Sequence, residues 1–166
     1  RVVVVGNPCN TNALIAQQNC RDVPASRFSA MTALDELRAK AQIAKKAKLN
    51  VKAVTNMVVW GNHSTTMYPN FEHTKVNGQP ATSVISDREW FTDTLLPSVQ
   101  NRGAEILAAR GKSSAASAAS ACISHMKHFM TKTPAGDWFS AAVLSDGQHY
   151  GIPKGIMYSF PLVSEG

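Results

Sequence analysis

The hydrophobic positions at the start of the chain predict a buried strand. Four consecutive valines, Val2–Val5, are typical of a strand covered on both faces in a parallel sheet, and Gly6-Asn7-Pro8 ends it. A parallel partner needs a helical crossover before it, and we find no other segment in the chain with that arrangement. The valine run is therefore expected to belong to a parallel sheet that lies mostly outside this chain. A short helix is predicted to follow over 12–18.

Apolar residues at three- and four-residue spacing predict three longer helices. The first begins at Thr32 as N-cap and runs to about Leu49, with an apolar stripe of Leu34, Leu37, Ala41, Ala44 and Ala47. Ser86 and Glu89 have the spacing of a capping box, which predicts a second helix to about Arg110. Pro97 is expected to kink this helix or to divide it into two. Gly111 ends that helix, and a third, rich in alanine and serine, is predicted over 113–129.

The remaining apolar segments are short and predict antiparallel strands. One strand is expected over 55–60, and Asn77-Gly78 predicts a hairpin between 71–76 and 81–85, with Gln79-Pro80 lengthening its turn. Asp146-Gly147 predicts a second hairpin between 138–144 and 148–150, and a last strand covers 157–163. Because strands and helices do not alternate regularly, the pattern favours an α+β fold.

Composition narrows the class of protein. A chain of 166 residues is long enough for one domain, and its 44% hydrophobic content excludes intrinsic disorder. No apolar run approaches the ~18 residues that a membrane-spanning helix needs. Cys9, Cys20 and Cys122 are odd in number and scattered, which favours reduced thiols over a disulfide framework. The net charge of +6 attracts anions in general but identifies no partner.

Four polar residues are candidates for chemistry, and each also has an ordinary structural interpretation. Asp35 and Arg38 lie three apart on the first long helix and share a face, which is also the spacing of a common surface ion pair. His63 follows a strand end in a Gly-Asn turn, where a histidine can act as a general base or be merely structural. Asn7 also follows a strand end, where it is either a turn residue or an amide facing a ligand.

Two other clusters are weaker candidates. Cys122, His125 and His128 recur at three-residue spacing, but six residues turn a helix through about 240°, so the two ends of the cluster face apart and we expect no metal site. The basic run over 38–52 has neither interleaved aromatic residues nor a nucleic-acid-binding motif. A solvated helix face is the better interpretation of it.

Taken in order, the segments resemble malate dehydrogenases of the cytosolic type, within the lactate/malate dehydrogenase superfamily. The resemblance extends over essentially the whole chain. It rests on VVVVGNPCNTN at 2–12, MTALDELRAKAQIA at 31–44, VVWGNHSTTMYP at 58–69, GKSSAASAASA at 111–121 and VLSDGQHYGIPKGIMYSFPL at 143–162. The sequence departs from the family pattern at Ala33, where a polar or basic residue is usual.

The resemblance implies roles for the candidate residues. His63 would be the proton acceptor, Asp35 would orient it, and Arg38 would bind the substrate carboxylate. Asn7 would hydrogen-bond the reacting oxygen of malate or oxaloacetate. The cofactor implied is NAD, which the backbone of Val5, Gly6 and Asn7 would approach, and either Ser113 or Ser114 would lie near its nicotinamide. No metal is implied.

The resemblance also implies a domain organisation. Residues 1–30 would be the end of a Rossmann-type NAD-binding domain, and 31–166 the catalytic C-terminal domain that binds the substrate. No G-x-G-x-x-G turn occurs, so the nucleotide-binding half, with the residues that select NAD over NADP, is expected before Arg1. We therefore expect the 166 residues alone to be inactive and to show no micromolar NAD binding by calorimetry.

Two alternatives stay open on the sequence. One is a dehydrogenase of another 2-hydroxy acid, such as an aromatic one, since the same His, Asp and Arg would bind the shared hydroxy-acid end. The other is a basic, non-enzymatic interaction module, which would gather Lys45, Lys46, Lys48 and Lys52 into one patch without a His–Asp contact. Neither nucleic acid nor a membrane is expected as a partner. The family implies a homodimer and a cytoplasmic location, although a pI of about 9.4 also suits an organellar relative.

Overall fold

Six helices and nine short strands make up the computed structural model, which describes residues 1–166. The helices are α1 (Cys9–Asn19), α2 (Ala33–Ala47), α3 (Ala81–Val84), α4 (Arg88–Trp90), α5 (Leu96–Arg110) and α6 (Ala116–Met130). The strands are β1 (Val2–Val4), β2 (Phe28–Ala30), β3 (Val54–Thr55), β4 (Val59–Trp60), β5 (Tyr68–Pro69), β6 (Lys75–Val76), β7 (Gln79–Pro80), β8 (Phe139–Leu144) and β9 (Met157–Leu162). Helices and mainly antiparallel strands confirm the α+β class.

The main sheet has four strands in the order β1-β2-β8-β9. Its β1 and β2 pair in parallel, with Val2 opposite Phe28, while β2-β8 and β8-β9 pair antiparallel. The expectation that the chain holds no parallel partner for the valine strand was therefore wrong, because α1 is the crossover that leads to β2. The three residues of β2 were too few to produce a recognisable strand pattern. The strand β1 forms one edge of the sheet, and Val2 is 37% exposed, so it is not covered on both faces in this chain.

Two hairpin predictions need correction. Asn77 and Gly78 both have positive φ and form a tight turn, but Gln79–Pro80 is the second strand rather than part of the turn, and 81–84 is helical. The segment 148–150 is not a strand: β8 pairs instead with β9 across the connection 145–156. The predicted strand 55–60 is divided at Asn56, which has φ 57°, so β3 and β4 lie in different sheets.

The long helices lie where the pattern places them, with different details at their ends. Thr32 is the N-cap of α2, but its side chain contacts Ser159 and does not cap the helix. The predicted capping box is replaced by Asp87, whose carboxylate accepts a hydrogen bond from the Trp90 amide. The predicted kink at Pro97 takes the form of a π-helical stretch, Phe91–Leu95, immediately before α5.

The apolar residues pack into three clusters, two of which include residues of α2. The largest lies between α2, the small strands and α5, a second joins α1 to the main sheet, and a third lies between α2 and α6. On α2 the buried face passes through Ala39 and Ile43, whereas Ala41 of the predicted stripe is exposed. None of the helices is sufficiently long and apolar to span a membrane.

Candidate active site

The helix α2 presents two charged side chains to one side of the molecule. Asp35 is completely buried in its first turn, where a carboxylate is favoured by the helix dipole. Arg38, one turn later, donates from Nη1 to Asp35 Oδ1 at 3.3 Å, and its side chain is 14% exposed. A solvent-exposed ion pair of this spacing would contribute little to the stability of the fold. Burial makes this pair different, because an unpaired carboxylate at the same position would carry the full cost of desolvation.

The loop after β4 places His63 against Asp35. Gly61 has φ +94°, a conformation that favours glycine, and its backbone pairs with Ser159 of β9 through hydrogen bonds in both directions. Two residues later, the Nδ1 atom of His63 contacts Oδ2 of Asp35. An ionised carboxylate can only accept hydrogen bonds, so Nδ1 carries the proton and Nε2 of the neutral ring is the basic nitrogen. No protein atom makes a hydrogen bond to Nε2.

The surroundings of His63 favour its charged form. The hydrogen bond that His63 Nδ1 donates to the Asp35 carboxylate raises the pKa of His63 above its usual 6.5, while burial and the nearby Arg38 lower it. The ring is thus a stronger base than a free imidazole. An imidazole with one nitrogen fixed by a carboxylate and the other open can accept a proton from a bound molecule.

The guanidinium of Arg38 is held by two partners and keeps donors free. Nη1 contacts Asp35, and Nη2 donates to Ser114 Oγ at 3.1 Å. Burial lowers the pKa of Arg38 from its usual value, and the Asp35 charge counteracts that change. Since a guanidinium has five N–H donors, three remain for a carboxylate or phosphate ligand.

A cleft of about 560 Å³ collects the other predicted residues. Its lining includes every candidate except Asp35, namely Val5, Gly6, Asn7, Arg38, His63, Ser113 and Ser114. Asp35 lies behind His63, fully buried. Both serines line the cleft, and Ser114 is the one that contacts Arg38. Residues from four separated segments of the chain therefore converge on one opening.

Several residues of the site were missed from the sequence. The helix α5 also lines the cleft, through Gln100, Gly103, Ala104 and Leu107. The Gln100 side chain donates a hydrogen bond to the Met67 carbonyl oxygen at 2.8 Å. Asn10 binds the His63 backbone, and the buried hydroxyls of Thr32 and Ser159 contact each other at 2.8 Å. These contacts join residues that are distant in the chain, such as Asn10 with His63 and Thr32 with Ser159, so the pattern of a single sequence does not reveal them.

The two weaker clusters take up ordinary structural roles. On α6, His125 is completely buried and its Nε2 contacts Ser29 Oγ at 2.9 Å, while His128 stacks on Phe139. Burial lowers the pKa of His125 to about 4. In the basic run, Lys46 pairs with Asp87 at 2.8 Å and lies over the Trp90 ring, and Lys45, Lys48 and Lys52 are exposed. The His63–Asp35 contact is the one that the enzyme hypothesis requires and the interaction-module hypothesis excludes.

Comparison with known proteins gives one matching family and several similar structures. Residues 32–166 match the family model described as lactate/malate dehydrogenase, alpha/beta C-terminal domain. Malate dehydrogenase from Naegleria fowleri is 46% identical with a TM-score of 0.89, over 99% of this chain and 50% of that chain. Lactate dehydrogenase from Trichomonas vaginalis, solved with NADH and oxamate, is 35% identical with a TM-score of 0.90, over 97% of this chain and 50% of that chain.

A structure of lower sequence identity has the same fold. Malate dehydrogenase from Plasmodium falciparum, solved with NADH, is 25% identical with a TM-score of 0.84, over 99% of this chain and 54% of that chain. The chain thus spans about half the length of each of these three proteins.

Proposed function

The chain belongs to the lactate/malate dehydrogenase family, and from that premise we propose that it carries the substrate-binding and proton-transfer residues of an NAD-dependent malate dehydrogenase. The observation that carries the proposal is the convergence of His63, Asp35 and Arg38 on one cleft. Interconversion of malate and oxaloacetate needs a group that exchanges one proton with the hydroxyl oxygen and a cation for the carboxylate. The cleft offers one of each.

Arg38 binds the carboxylate next to the reacting carbon. Its planar guanidinium can donate two parallel hydrogen bonds to a carboxylate, which fixes both the position and the rotation of the substrate. Hydrogen bonds to Asp35 and Ser114 already fix the guanidinium, so the side chain loses little further conformational freedom when substrate binds. Asn7, at the carboxyl end of β1, lines the same cleft and supplies an amide for the reacting oxygen.

His63 accepts the hydroxyl proton of malate at Nε2. The imidazolium that forms is stabilised by Asp35, whose buried carboxylate also keeps the ring in the tautomer that leaves Nε2 open. In the reverse direction the protonated ring returns this proton to the carbonyl oxygen of oxaloacetate. The raised pKa makes His63 a stronger proton acceptor than a free imidazole.

The residues at the mouth of the cleft fit the reacting end of NAD, which when bound supplies the acceptor for the hydride. Gly6 has no positive φ, and a methyl group built on its Cα would meet no protein atom within 4 Å. Nothing in the protein therefore requires glycine at this position, whereas a ligand lying against the backbone would. Val5, Gly6, Asn7 and Ser113 would hold the nicotinamide end there.

The rest of the nucleotide would lie on a domain that precedes residue 31. We propose that residues 1–30 complete that nucleotide-binding domain and that 31–166 form the catalytic domain, so activity needs both halves. Formation of a homodimer, the preference for NAD over NADP and a cytoplasmic location stay predictions from the family resemblance.

Lactate dehydrogenase is the second candidate, because a Trichomonas vaginalis lactate dehydrogenase has the same fold at 35% identity. His63, Asp35 and Arg38 would bind the hydroxy-acid end that malate and lactate share, so they do not separate the two. The higher identity to a malate dehydrogenase, 46%, favours malate. We expect kcat/KM of the full-length enzyme to be higher for oxaloacetate than for pyruvate or phenylpyruvate, measured with NADH. A higher kcat/KM for pyruvate or phenylpyruvate than for oxaloacetate would contradict the proposal that malate is the substrate.

The role of His63 is tested by His63→Asn in the full-length enzyme. Without the basic nitrogen, turnover should fall by roughly a hundred- to ten-thousandfold, while the Kd for NADH stays close to that of the unmodified enzyme. The matched control is His149→Asn, since His149 also lies near an aspartate, Asp146, but is largely exposed and does not line the cleft. Near-normal turnover of His63→Asn would remove His63 as the base.

A further inference from the structure

Asn10 joins three separate parts of the structure through one buried side chain. It lies in the first turn of α1 and is 4% exposed. Its Oδ1 accepts a hydrogen bond from the His63 backbone N–H at 3.1 Å, and its Nδ2 donates to the carbonyl oxygens of Met157 at 3.1 Å and Gly61 at 3.3 Å. The helix α1, the loop 61–63 and strand β9 therefore meet at this amide.

The backbone partners define how this amide is oriented. The His63 N–H can only donate, and the Gly61 and Met157 carbonyls can only accept, so the oxygen must face His63 and the nitrogen must face the two carbonyls. Both N–H donors of the amide are in use. No other residue of this size offers two donors and an acceptor in one plane: aspartate lacks the donors, and glutamine is one methylene longer.

These hydrogen bonds bear directly on the base. The His63 ring is held at Nδ1 by Asp35, and its backbone is held by Asn10. Gly61, two residues before, is bound to Asn10 through its carbonyl oxygen and to Ser159 through both its N–H and its carbonyl. The hydrogen bond of the ring to Asp35 and that of the backbone to Asn10 together leave the ring little freedom to rotate or shift.

We propose that Asn10 is a positioning residue for the general base, holding the loop 61–63 so that the Nε2 of His63 faces the substrate. This inference rests on the proposed function for its consequence in catalysis, but its geometry is independent of the substrate. Asn10 does not line the catalytic cleft. It acts through the backbone of His63.

The test uses Asn10→Ala and Asn10→Asp in the full-length enzyme, with Asn19→Ala as control. Asn19 lies at the other end of α1, where its exposed amide binds only the Ile15 carbonyl of the same helix. Asn10→Ala removes all three hydrogen bonds. Asn10→Asp keeps the size of the side chain and the acceptor for His63, so it remains informative if the alanine variant fails to fold.

We expect kcat to fall roughly ten- to hundredfold in both Asn10 variants, measured well below the melting temperature, because a small displacement of a catalytic group has effects of this size. KM for oxaloacetate should change little, since Arg38 and its partners are untouched. The downfield NMR resonance of the His63 Nδ1 proton should shift or broaden. Asn19→Ala should match the unmodified enzyme in all three measurements.

A purely structural role would give a different result. It would lower the melting temperature and leave kcat and the His63 resonance unchanged in both Asn10 variants, and that result would overturn the proposal. The NMR measurement also separates this inference from the proposed function. If the unmodified enzyme does not act on malate, a changed His63 resonance still supports the positioning role, and an unchanged one overturns it.

Discussion

The chain contains two histidines, one partly buried and one fully buried, whose surroundings have opposite effects on the pKa of the imidazole. In the region formed by α2 and the loop 61–63, His63 contacts a carboxylate, and its pKa is raised above 6.5. In the region formed by α6 and β2, His125 contacts the hydroxyl of Ser29, and burial lowers its pKa to about 4. Burial disfavours a charged imidazole in both regions, so the partner decides which ring can hold a second proton.

The unpaired nitrogen of His125 strengthens the contrast. Its Nδ1 is buried and has no hydrogen-bond partner, so protonation there would create an N–H without an acceptor. His63 has the reverse arrangement, with Nδ1 bound to a carboxylate and Nε2 open to the cleft. The first arrangement favours a neutral ring that connects a helix to a strand, and the second leaves one nitrogen free to exchange a proton with a ligand.

The largest effect is expected from removing the carboxylate that distinguishes the two regions. In Asp35→Asn, turnover should fall by about three to four orders of magnitude, because the tautomer of His63 and its imidazolium lose their support. The pKa of His63 should fall, since burial and Arg38, which both lower it, are then unopposed. The rise of kcat/KM for malate with pH should therefore have its midpoint at lower pH than in the unmodified enzyme.

The control for this variant is Glu36→Gln. Glu36 is also a buried carboxylate and adjacent to Asp35, but it binds Lys40 and the Ser140 amide on another face of α2. Glu36→Gln should therefore leave the midpoint of the rise of kcat/KM with pH unchanged. A pH profile of Asp35→Asn that coincides with that of the unmodified enzyme would show that Asp35 does not set the pKa of His63.

A smaller effect is expected on stability in acid. The pKa of His125 in the folded chain, about 4, is below the 6.5 of an unfolded histidine, so the unfolded chain binds more protons between these values. Stability from this residue is present above pH 6.5 and is lost as the pH falls towards 4, by on the order of 3 kcal/mol in total. Urea unfolding at pH 7 and pH 5 should show this loss, and His125→Gln should reduce it. If the unmodified protein and His125→Gln lose the same free energy of unfolding between pH 7 and pH 5, the lowered pKa of His125 is contradicted.

His63 has the opposite linkage. Its folded pKa is raised, so its contribution to stability is present below pH 6.5 and is lost as the pH rises through the folded value.

The smallest effect concerns the partner of His125. Ser29→Ala leaves the Nε2 of His125 without its hydrogen bond, which should lower the free energy of unfolding by about 1–2 kcal/mol without changing turnover. Urea unfolding at pH 7 measures it, with Ser26→Ala as the control, since Ser26 is exposed on the same segment. A loss of turnover in Ser29→Ala with unchanged stability would mean that the α6 region also serves catalysis.

The sequence predicted the helices well and the strands only in part. Helical spacing is a local property, so Leu34, Ala44 and the glycine at 111 sufficed to place α2 and the end of α5. The strands depend on partners that are distant in sequence, and β2 was missed because three residues form a strand only when β1 and β8 lie beside them. The π-helical stretch before Pro97 likewise has no signature in one sequence.

The sequence by itself determined that Asp35 and Arg38 share one face of a helix, because three residues of helix bring two side chains to the same side. From the residues alone it did not fix the role of either histidine: His63 was a possible base or a structural residue, and His125 was one member of a weak metal-ligand candidate. Only the tertiary structure decided that one lies beside a carboxylate 28 residues away and the other beside a hydroxyl 96 residues away. The chemistry of an imidazole depends on the group that packing places against it, and packing joins residues without regard to their order in the chain.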